Sequence, residues 1–386
     1  MIATITMPRL LYIGGGAVAE VTTALARLGA QRPLIVTDRF IESSGILARV
    51  TDRLDAAGIT WQVFADTVPD PTTDVVAAGV EVLRAGSYDC LVALGGGSPI
   101  DTAKAMSVLA ANGGRMRDYK VPNEIPKLGL PLLAIPTTAG TGSEVTRFTV
   151  ITDSERDEKM LIMGLACCPA AAIVDYELTL SMPWRLTADT GLDSLTHAIE
   201  AYVSRKASPF TDGVAKAAMA GIARNIRAAC TDPQNRVARE AMMLGATQAG
   251  MAFSNASVCL VHGMSRPIGA FFHVPHGLSN AMLLPEITAF SAPAALERYA
   301  DCARAMGVAA EGEGNQAAVA RLLDELRLLN RDLKVPTPQS YGIAQERYHE
   351  LLPVMASQAL ASGSPGNNPR VPSADEIIDL YKRVYA

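Results

Sequence analysis

An α/β half with a mostly parallel sheet, followed by an all-helical half, is the fold class that this 386-residue sequence predicts. Two patterns carry the prediction. Between residue 9 and about residue 181, short apolar runs alternate with helical periodicity, as parallel strands joined by crossover helices require. Beyond residue 181 strand signals stop, while helix-capping signatures continue almost to the last residue. The expected domains are therefore 1–181 and 182–386, in a chain long enough to bury more than one core.

The first residues, MIATITMPRLLYIG, read as a strand rather than a leader, because no basic stretch precedes an apolar core and no small-residue cleavage site follows. Buried strands follow at 34–38 (LIVTD), 61–65 (WQVFA), 90–94 (CLVAL), 132–135 (LLAI) and 171–175 (AAIVD). Helices are expected between them near 45–57, 72–85 and 99–111. In the second half the helices fall near 184–204, 209–229, 233–253, 315–330, 344–360 and 373–384. Ser208-Pro209 and Asp232-Pro233 each offer an N-cap followed by proline at the first helical position, and Ser373 with Glu376 forms a capping box. The segment 362–370 (SGSPGNNPR) reads as a loop within the second half.

Composition narrows the function classes. A net charge of -5 without basic runs leaves no electrostatic footprint for nucleic acid or an anionic membrane surface. No apolar run reaches the ~18 residues of a membrane span. Six cysteines show no framework spacing, so reduced thiols in a cytoplasmic protein are expected.

Histidine is scarce and clustered. Three of the five histidines lie in the stretch 262–276 (HGMSRPIGAFFHVPH), and a fourth, His197, follows Asp193 by four residues. That spacing puts carboxylate and imidazole on one helix face, about one turn apart, which is metal-ligand geometry for a borderline divalent ion. A lone histidine on an apolar helix face is more often a hydrogen-bonded core residue. Here Gly263, Pro267, Gly269 and Pro275 break the second cluster, so it is not expected to form one regular helix, and ligands on bends point to a site rather than to packing.

Two glycine-rich turns compete for a cofactor phosphate. Gly14 to Gly16 follows a strand and precedes an acidic strand end at Asp38, a superficial match to the dinucleotide fingerprint. The rival, Gly95 to Asp101, also follows a buried strand, and Ser98-Pro99 opens a helix whose free N–H groups can receive an anion. A third stretch, from Pro136 to Ser143, leaves a strand end with small residues and hydroxyls suited to phosphate or ribose. Each could be a plain structural turn. Three strand ends with nucleotide-compatible groups, at Asp38, Gly95 and Thr137, together favour a dinucleotide cleft.

At this point the sequence resembles the iron-containing, or group III, alcohol dehydrogenases, the family of lactaldehyde reductase and 1,3-propanediol dehydrogenase. The resemblance spans the chain and rests on GGGSPIDTAK at 95–104, PTTAGTGSEVT at 136–146, GLDSLTHAIE at 191–200, the 262–276 stretch and NPR at 368–370. It implies an N-terminal nucleotide-binding domain and a helical metal-binding, catalytic domain, with hydride passing between NAD(H) and a small alcohol or aldehyde in the cleft between them. Carried over residue by residue, Asp193, His197, His262 and His276 would be the metal ligands. Gly96, Gly97, Ser98 and Asp101 would face the pyrophosphate, and Thr137, Thr138, Thr141 and Lys159 would lie beside the cofactor. The glycines at 14–16 would then not be the phosphate loop. Fe(II) is the expected metal with Zn(II) as the alternative, and a homodimer or larger homo-oligomer is the expected assembly.

One position departs from the family pattern. Where many members carry a histidine four residues after the third ligand, this chain has Arg266. Arg266 is read first as pairing with a local carboxylate and second as binding an acidic substrate group. His273 is the other catalytic candidate, although it reads better as an exposed loop residue. Phe148, Phe253 and Val258 read first as ordinary core and second as walls of an apolar pocket. The alternatives to a plain alcohol dehydrogenase are a hydroxyacid dehydrogenase, a dehydroquinate-synthase-like lyase that uses NAD and a metal, and, more remotely, a metal-dependent hydrolase.

Overall fold

A computed structural model describes residues 2–386. The chain divides into two compact units, Thr4–Ser181 and Met182–Ala386. In the first, strands β1 (Leu10–Ile13), β2 (Pro33–Val36), β3 (Gln62–Phe64), β4 (Cys90–Gly95) and β5 (Leu132–Pro136) join a later strand, β8 (Ala171–Val174), in a parallel sheet of order β1-β8-β5-β4-β2-β3. Helices α1 (Val21–Leu28), α2 (Arg39–Ser43), α3 (Ala48–Ala56), α4 (Thr73–Ala85) and α5 (Gly97–Asn112) make the crossovers. Both faces of the sheet are covered. Along β4, Leu91 and Ala93 pack with Val80 and Met106, whereas Val92 and Leu94 pack with Leu25 and Leu54 on the other side. This two-sided burial is why the strands read as continuous apolar runs rather than as alternating patterns.

The sequence did not foretell the antiparallel hairpin of β6 (Phe148–Asp153) and β7 (Glu158–Met163). A buried lysine fastens it to α5. Lys104 is fully buried, and its Nζ donates to Ser143 Oγ, to Thr146 O and Oγ1, and to Phe148 O at 2.7–3.1 Å. Asp101, one turn earlier on α5, accepts from Ser143 Oγ at 2.6 Å and from Val150 N at 2.9 Å. Charge and hydrogen bonds are thus satisfied together, as a buried ion requires.

The second unit is helical throughout: α6 (Trp184–Val203), α7 (Pro209–Thr231), α8 (Arg236–Ala256), α9 (Leu260–Phe272), α10 (His276–Ser291), α11 (Leu296–Ala305), α12 (Asn315–Asp332), α13 (Pro338–Tyr341), α14 (Gln345–Ala361) and α15 (Ala374–Val384). Its centre is α6, buried almost without break from Thr187 to Val203 and packed against α7, α8 and α10. No helix among the described residues is long and apolar enough to cross a membrane.

Several expected boundaries move. The helix expected at 45–57 is α3, starting at Ala48, and an unexpected short helix, α2, precedes it because Asp38 caps it by accepting from Ile41 N. The helix expected from 233 starts at Arg236: Asn235, not Asp232, accepts the first free N–H, and Asp232 ends α7 instead. Pro267 lies inside α9 rather than breaking it. Burial of Met264, Ser265, Pro267 and Ile268, with the Tyr381 hydroxyl donating to Met264 O at 2.6 Å, holds that helix despite the lost backbone bond. The break in the histidine segment comes at His273, in the left-handed region, just before Pro275 precedes α10. His262 and His276 therefore stand on helices, not on bends.

Candidate metal centre

Four side chains converge in the helical unit. Asp193 and His197 lie one turn apart on α6, His262 stands in the first turn of α9, and His276 is the first residue of α10. One ligand atom from each lies within 4.8 Å of all the others. Asp193 Oδ1 is the hub, at 3.5 Å from His262 Nε2, 3.8 Å from His276 Nε2 and 3.9 Å from His197 Nε2. Asp193, His197 and His262 are buried, whereas the His276 side chain is 47% exposed and marks the accessible side of the cluster. The rings are packed as well as placed, with His197 between Phe253 and His262 at centroid distances of 4.2 and 4.5 Å. Phe253 is thus a wall of the centre, while the backbone of Phe148 serves the Lys104 network and Val258 is buried beside Asn367.

Close packing sets the position of His276. A Cβ on Gly277 would come within 2.4 Å of Asp189 O, so only glycine lets α10 begin this near to α6.

Two residues that the sequence reading passed over complete the arrangement. Glu200 continues the α6 face at the i, i+4, i+7 spacing from Asp193. Its carboxylate accepts from Cys259 N at 2.9 Å, Val261 N at 2.6 Å and His262 Nδ1 at 2.7 Å. It therefore takes up free N–H groups at the start of α9 and turns the Nε2 of His262 toward Asp193. Asn280, one turn after His276, donates its Nδ2 to Asp193 Oδ1 at 2.7 Å and sits 3.1 and 3.3 Å from the Nε2 atoms of His262 and His276. Its buried Oδ1 has no partner. Helical spacing from the recognised ligands was the one signal that could have found both residues.

The electrostatics match a cation site. Burial alone would raise the Asp193 carboxyl, but His197, His276 and His262 hold it far below the usual carboxylate range. Burial alone would lower His262, but Asp193 and Glu200 push it up to about 9. Without a metal the ring therefore keeps a second proton at neutral pH, and a divalent ion must displace it from Nε2, so affinity falls as pH falls below about 9. One carboxylate and three imidazoles around a single point, with an amide N–H touching three of the ligand atoms, form a donor set that fits a divalent metal. Replacing Glu200 with Gln leaves one acceptor where three donors converge. Metal affinity is expected to fall about 10- to 100-fold, and wild-type metal content after dialysis against a chelator would count against this role for Glu200.

In the α/β unit the glycine turn and the threonine loop meet. β4 and β5 are neighbours with Gly95 opposite Pro136, and a Cβ on Gly97 would lie 2.9 Å from Thr141 Cγ2 and one on Gly96 3.3 Å from Thr138 Cγ2. Gly95 has φ +150°, and no side chain caps the start of α5, so the N–H groups near Ser98 stay open to an anion. Thr137 is buried, and its N–H is bonded to Gly95 O. The other glycine turn is closed: Asp175 accepts from Gly16 N and Val18 N at 3.1 Å, which fills the place a phosphate would take.

Asp38 ends the next strand, β2, and uses one oxygen as the α2 cap. Asp101 and Lys159 already have partners within the unit. Both Asp101 oxygens are engaged within the unit, and Lys159 on β7 is ion-paired with Asp70 at 2.8 Å. His273 is exposed at the left-handed end of α9. Arg266 departs from its first reading, because no carboxylate among the described residues pairs with it.

A doubly wound α/β unit with an open glycine-turn helix, together with a helical unit carrying a cluster of one aspartate and three histidines, defines a metal-dependent dinucleotide oxidoreductase. Two family models match along the chain: iron-containing alcohol dehydrogenase over residues 8–176, and the Fe-containing alcohol dehydrogenase family C-terminal region over residues 187–385. The chain is 40% identical over 373 residues to lactaldehyde reductase of Escherichia coli (strain K12), with 96% of each chain covered. It is 40% identical over 376 residues to the NAD-dependent methanol dehydrogenase of Bacillus methanolicus, covering 97% of this chain and 98% of that one. The crystal structure of a 1,3-propanediol oxidoreductase superposes with a TM-score of 0.96 at 34% identity, with 100% of both chains covered. The chain belongs to the iron-containing alcohol dehydrogenase family. It is a metal-dependent, NAD-linked alcohol dehydrogenase, and the lyase and hydrolase alternatives give way to that class.

Proposed function

We propose that this protein transfers hydride between NAD(H) and a small alcohol or aldehyde, with Fe(II) held by Asp193, His197, His262 and His276. The observation that carries the ligand assignment is the convergence of these four side chains on one point. When bound, the ion supplies Lewis-acid polarisation of the substrate oxygen, and the nicotinamide supplies or accepts the hydride. The chain's own residues do the rest. Glu200 orients His262, Phe253 and the buried ligands exclude water from three sides, and the exposed His276 leaves the fourth open. Nitrogen and oxygen ligands accept Zn(II) as well, so metal analysis of protein purified without oxygen decides between the two ions.

In the α/β unit, residues 1–181, the coenzyme is assigned to Gly96, Gly97, Ser98, Thr137, Thr138 and Thr141, with its pyrophosphate at the start of α5. Asp101 and Lys104 are its structural support rather than its ligands. The helical unit, 182–386, is assigned the metal and the chemistry. A cytoplasmic setting agrees with six free cysteines. A homo-oligomer agrees with the exposed Val237 and Leu244, seven residues apart on α8.

Metal-loaded protein is expected to consume NADH with a short aldehyde and to use NADPH poorly. Asp38 can accept from an adenosine ribose with its second oxygen and would repel a 2'-phosphate. Asp38→Gly should narrow the preference for NADH over NADPH about tenfold, the effect of removing roughly 1.4 kcal/mol of discrimination. Equal use of both coenzymes by the unmodified protein would refute the role of Asp38, and no NADH consumption with any aldehyde would refute the function.

A further inference from the structure

Arg266 differs from the other arginines that are withdrawn from solvent. Arg49, Arg117, Arg185, Arg227, Arg298 and Arg304 each end on a carboxylate, and Arg147 lies 5.9 Å from the centroid of the Phe148 ring. The fully buried Arg239 is bonded to Thr187 Oγ1 and to the carbonyls of Pro233 and Met182. Arg266 is half-buried, yet no hydrogen bond or ion pair joins its guanidinium to any described residue. The negative charge that acts on it is Glu200, and that carboxylate is already occupied by three N–H groups at the start of α9. Burial holds the Arg266 pKa below the ordinary guanidinium value, with Glu200 opposing that shift. A partly desolvated cation with five donors and no acceptor of its own is poised to receive an anion.

Its position says which anion. Arg266 follows His262 by one turn of α9, so the two side chains share a helix face, and helical side chains lean back toward the N-terminus, here toward His262. The two residues stand one turn, about 5.4 Å of rise, apart along α9, which puts Arg266 on the helix that carries a ligand of the cluster.

We propose that Arg266 binds the carboxylate of the substrate through paired hydrogen bonds, so that short ω-hydroxy acids and their semialdehydes are the alcohols and aldehydes this enzyme takes best. The proposal rests on the hydride-transfer reading above and specifies its substrate class. In the oxidation direction, the carbinol carbon gives a hydride to NAD+ and the hydroxyl gives a proton to water. The carboxylate keeps its charge throughout, so Arg266 contributes uniform binding rather than chemistry.

The test compares 4-hydroxybutanoate with 1-butanol in the metal-loaded wild type, Arg266→Gln and Arg266→Lys. Arg266→Gln is expected to raise KM for the acid about 10- to 100-fold, the range for losing charge-assisted hydrogen bonds, with kcat and the constants for 1-butanol nearly unchanged. Arg266→Lys should fall between, because a point charge replaces a planar fork. In parallel, calorimetric binding of 4-hydroxybutanoate to the enzyme saturated with NADH, a complex that cannot react, should weaken by the same factor in Arg266→Gln while 1-butanol binding does not. An acid-to-neutral ratio that is the same in wild type and Arg266→Gln overturns the proposal and leaves alcohol oxidation standing. A higher KM for NAD+ with both substrates equally affected assigns the guanidinium to the coenzyme and overturns it too. If no form oxidises either substrate, the hydride-transfer reading fails, and the binding arm still decides whether Arg266 holds the carboxylate.

Discussion

His262→Ala and His276→Ala are expected to lose the bound metal and, with it, turnover, by more than the ~100-fold that separates an outer-sphere partner from wild type. The two variants differ in what else they remove. His276 is half exposed, so His276→Ala should nearly keep the unfolding temperature of the metal-free protein. His262 is buried, stacks on His197 and donates to Glu200, so His262→Ala leaves a carboxylate short of one partner and a gap beside a ring. A stability loss of roughly 1–3 kcal/mol is expected for that unsatisfied group. Metal content by elemental analysis, set beside thermal unfolding of the metal-free forms, separates ligand loss from misfolding. Full metal occupancy in the double histidine variant would sink the assignment.

The second large effect belongs to the α/β unit. Lys104→Met keeps most of the length of the side chain but removes the charge that acts on Asp101 and four hydrogen bonds that tie α5 to the segment leading into β6. Desolvation already raises the Asp101 carboxyl, and Lys104 is the first of the groups that hold it down. Leaving the Asp101 charge without its cation is expected to cost about 3–5 kcal/mol, the range for an uncompensated buried charge, and urea unfolding should show a lower midpoint to match. Adding Asp101→Leu should then cost less than it does in the wild type, since the orphaned charge is gone. Additive single and double variants would show that Lys104 and Asp101 do not act as a pair.

Much of the molecule could be read from local patterns. The sheet strands are short runs buried on both faces, and the capping boxes at Ser208 and Ser373 open helices where expected, because a cap is a contact among neighbours in sequence. The Asp193-His197 pair is legible for the same reason: helical periodicity alone puts both on one face. Where two local signals competed, as at Asp232-Pro233 and Asn235, sequence preference could not choose. Pro267 inside α9 shows burial overriding a breaker. The hairpin of β6 and β7 escaped because one side of its register faces α5 and its anchors, Lys104 and Asp101, lie more than 40 residues upstream.

By itself the sequence determined the strands of the parallel sheet, the change from an α/β to a helical pattern near residue 181 and the set of scarce ligand-type residues, all properties of patterns within a few turns. Only the tertiary structure decided which glycine turn is open, since the carboxylate that fills the other comes from Asp175, 159 residues away from Gly16. It alone brought Glu200 to His262 across 62 residues and Asn280 to Asp193 across 87. And it alone left Arg266 without a partner, because whether a guanidinium is satisfied depends on every acceptor that packing brings within reach, and no window of sequence contains them all.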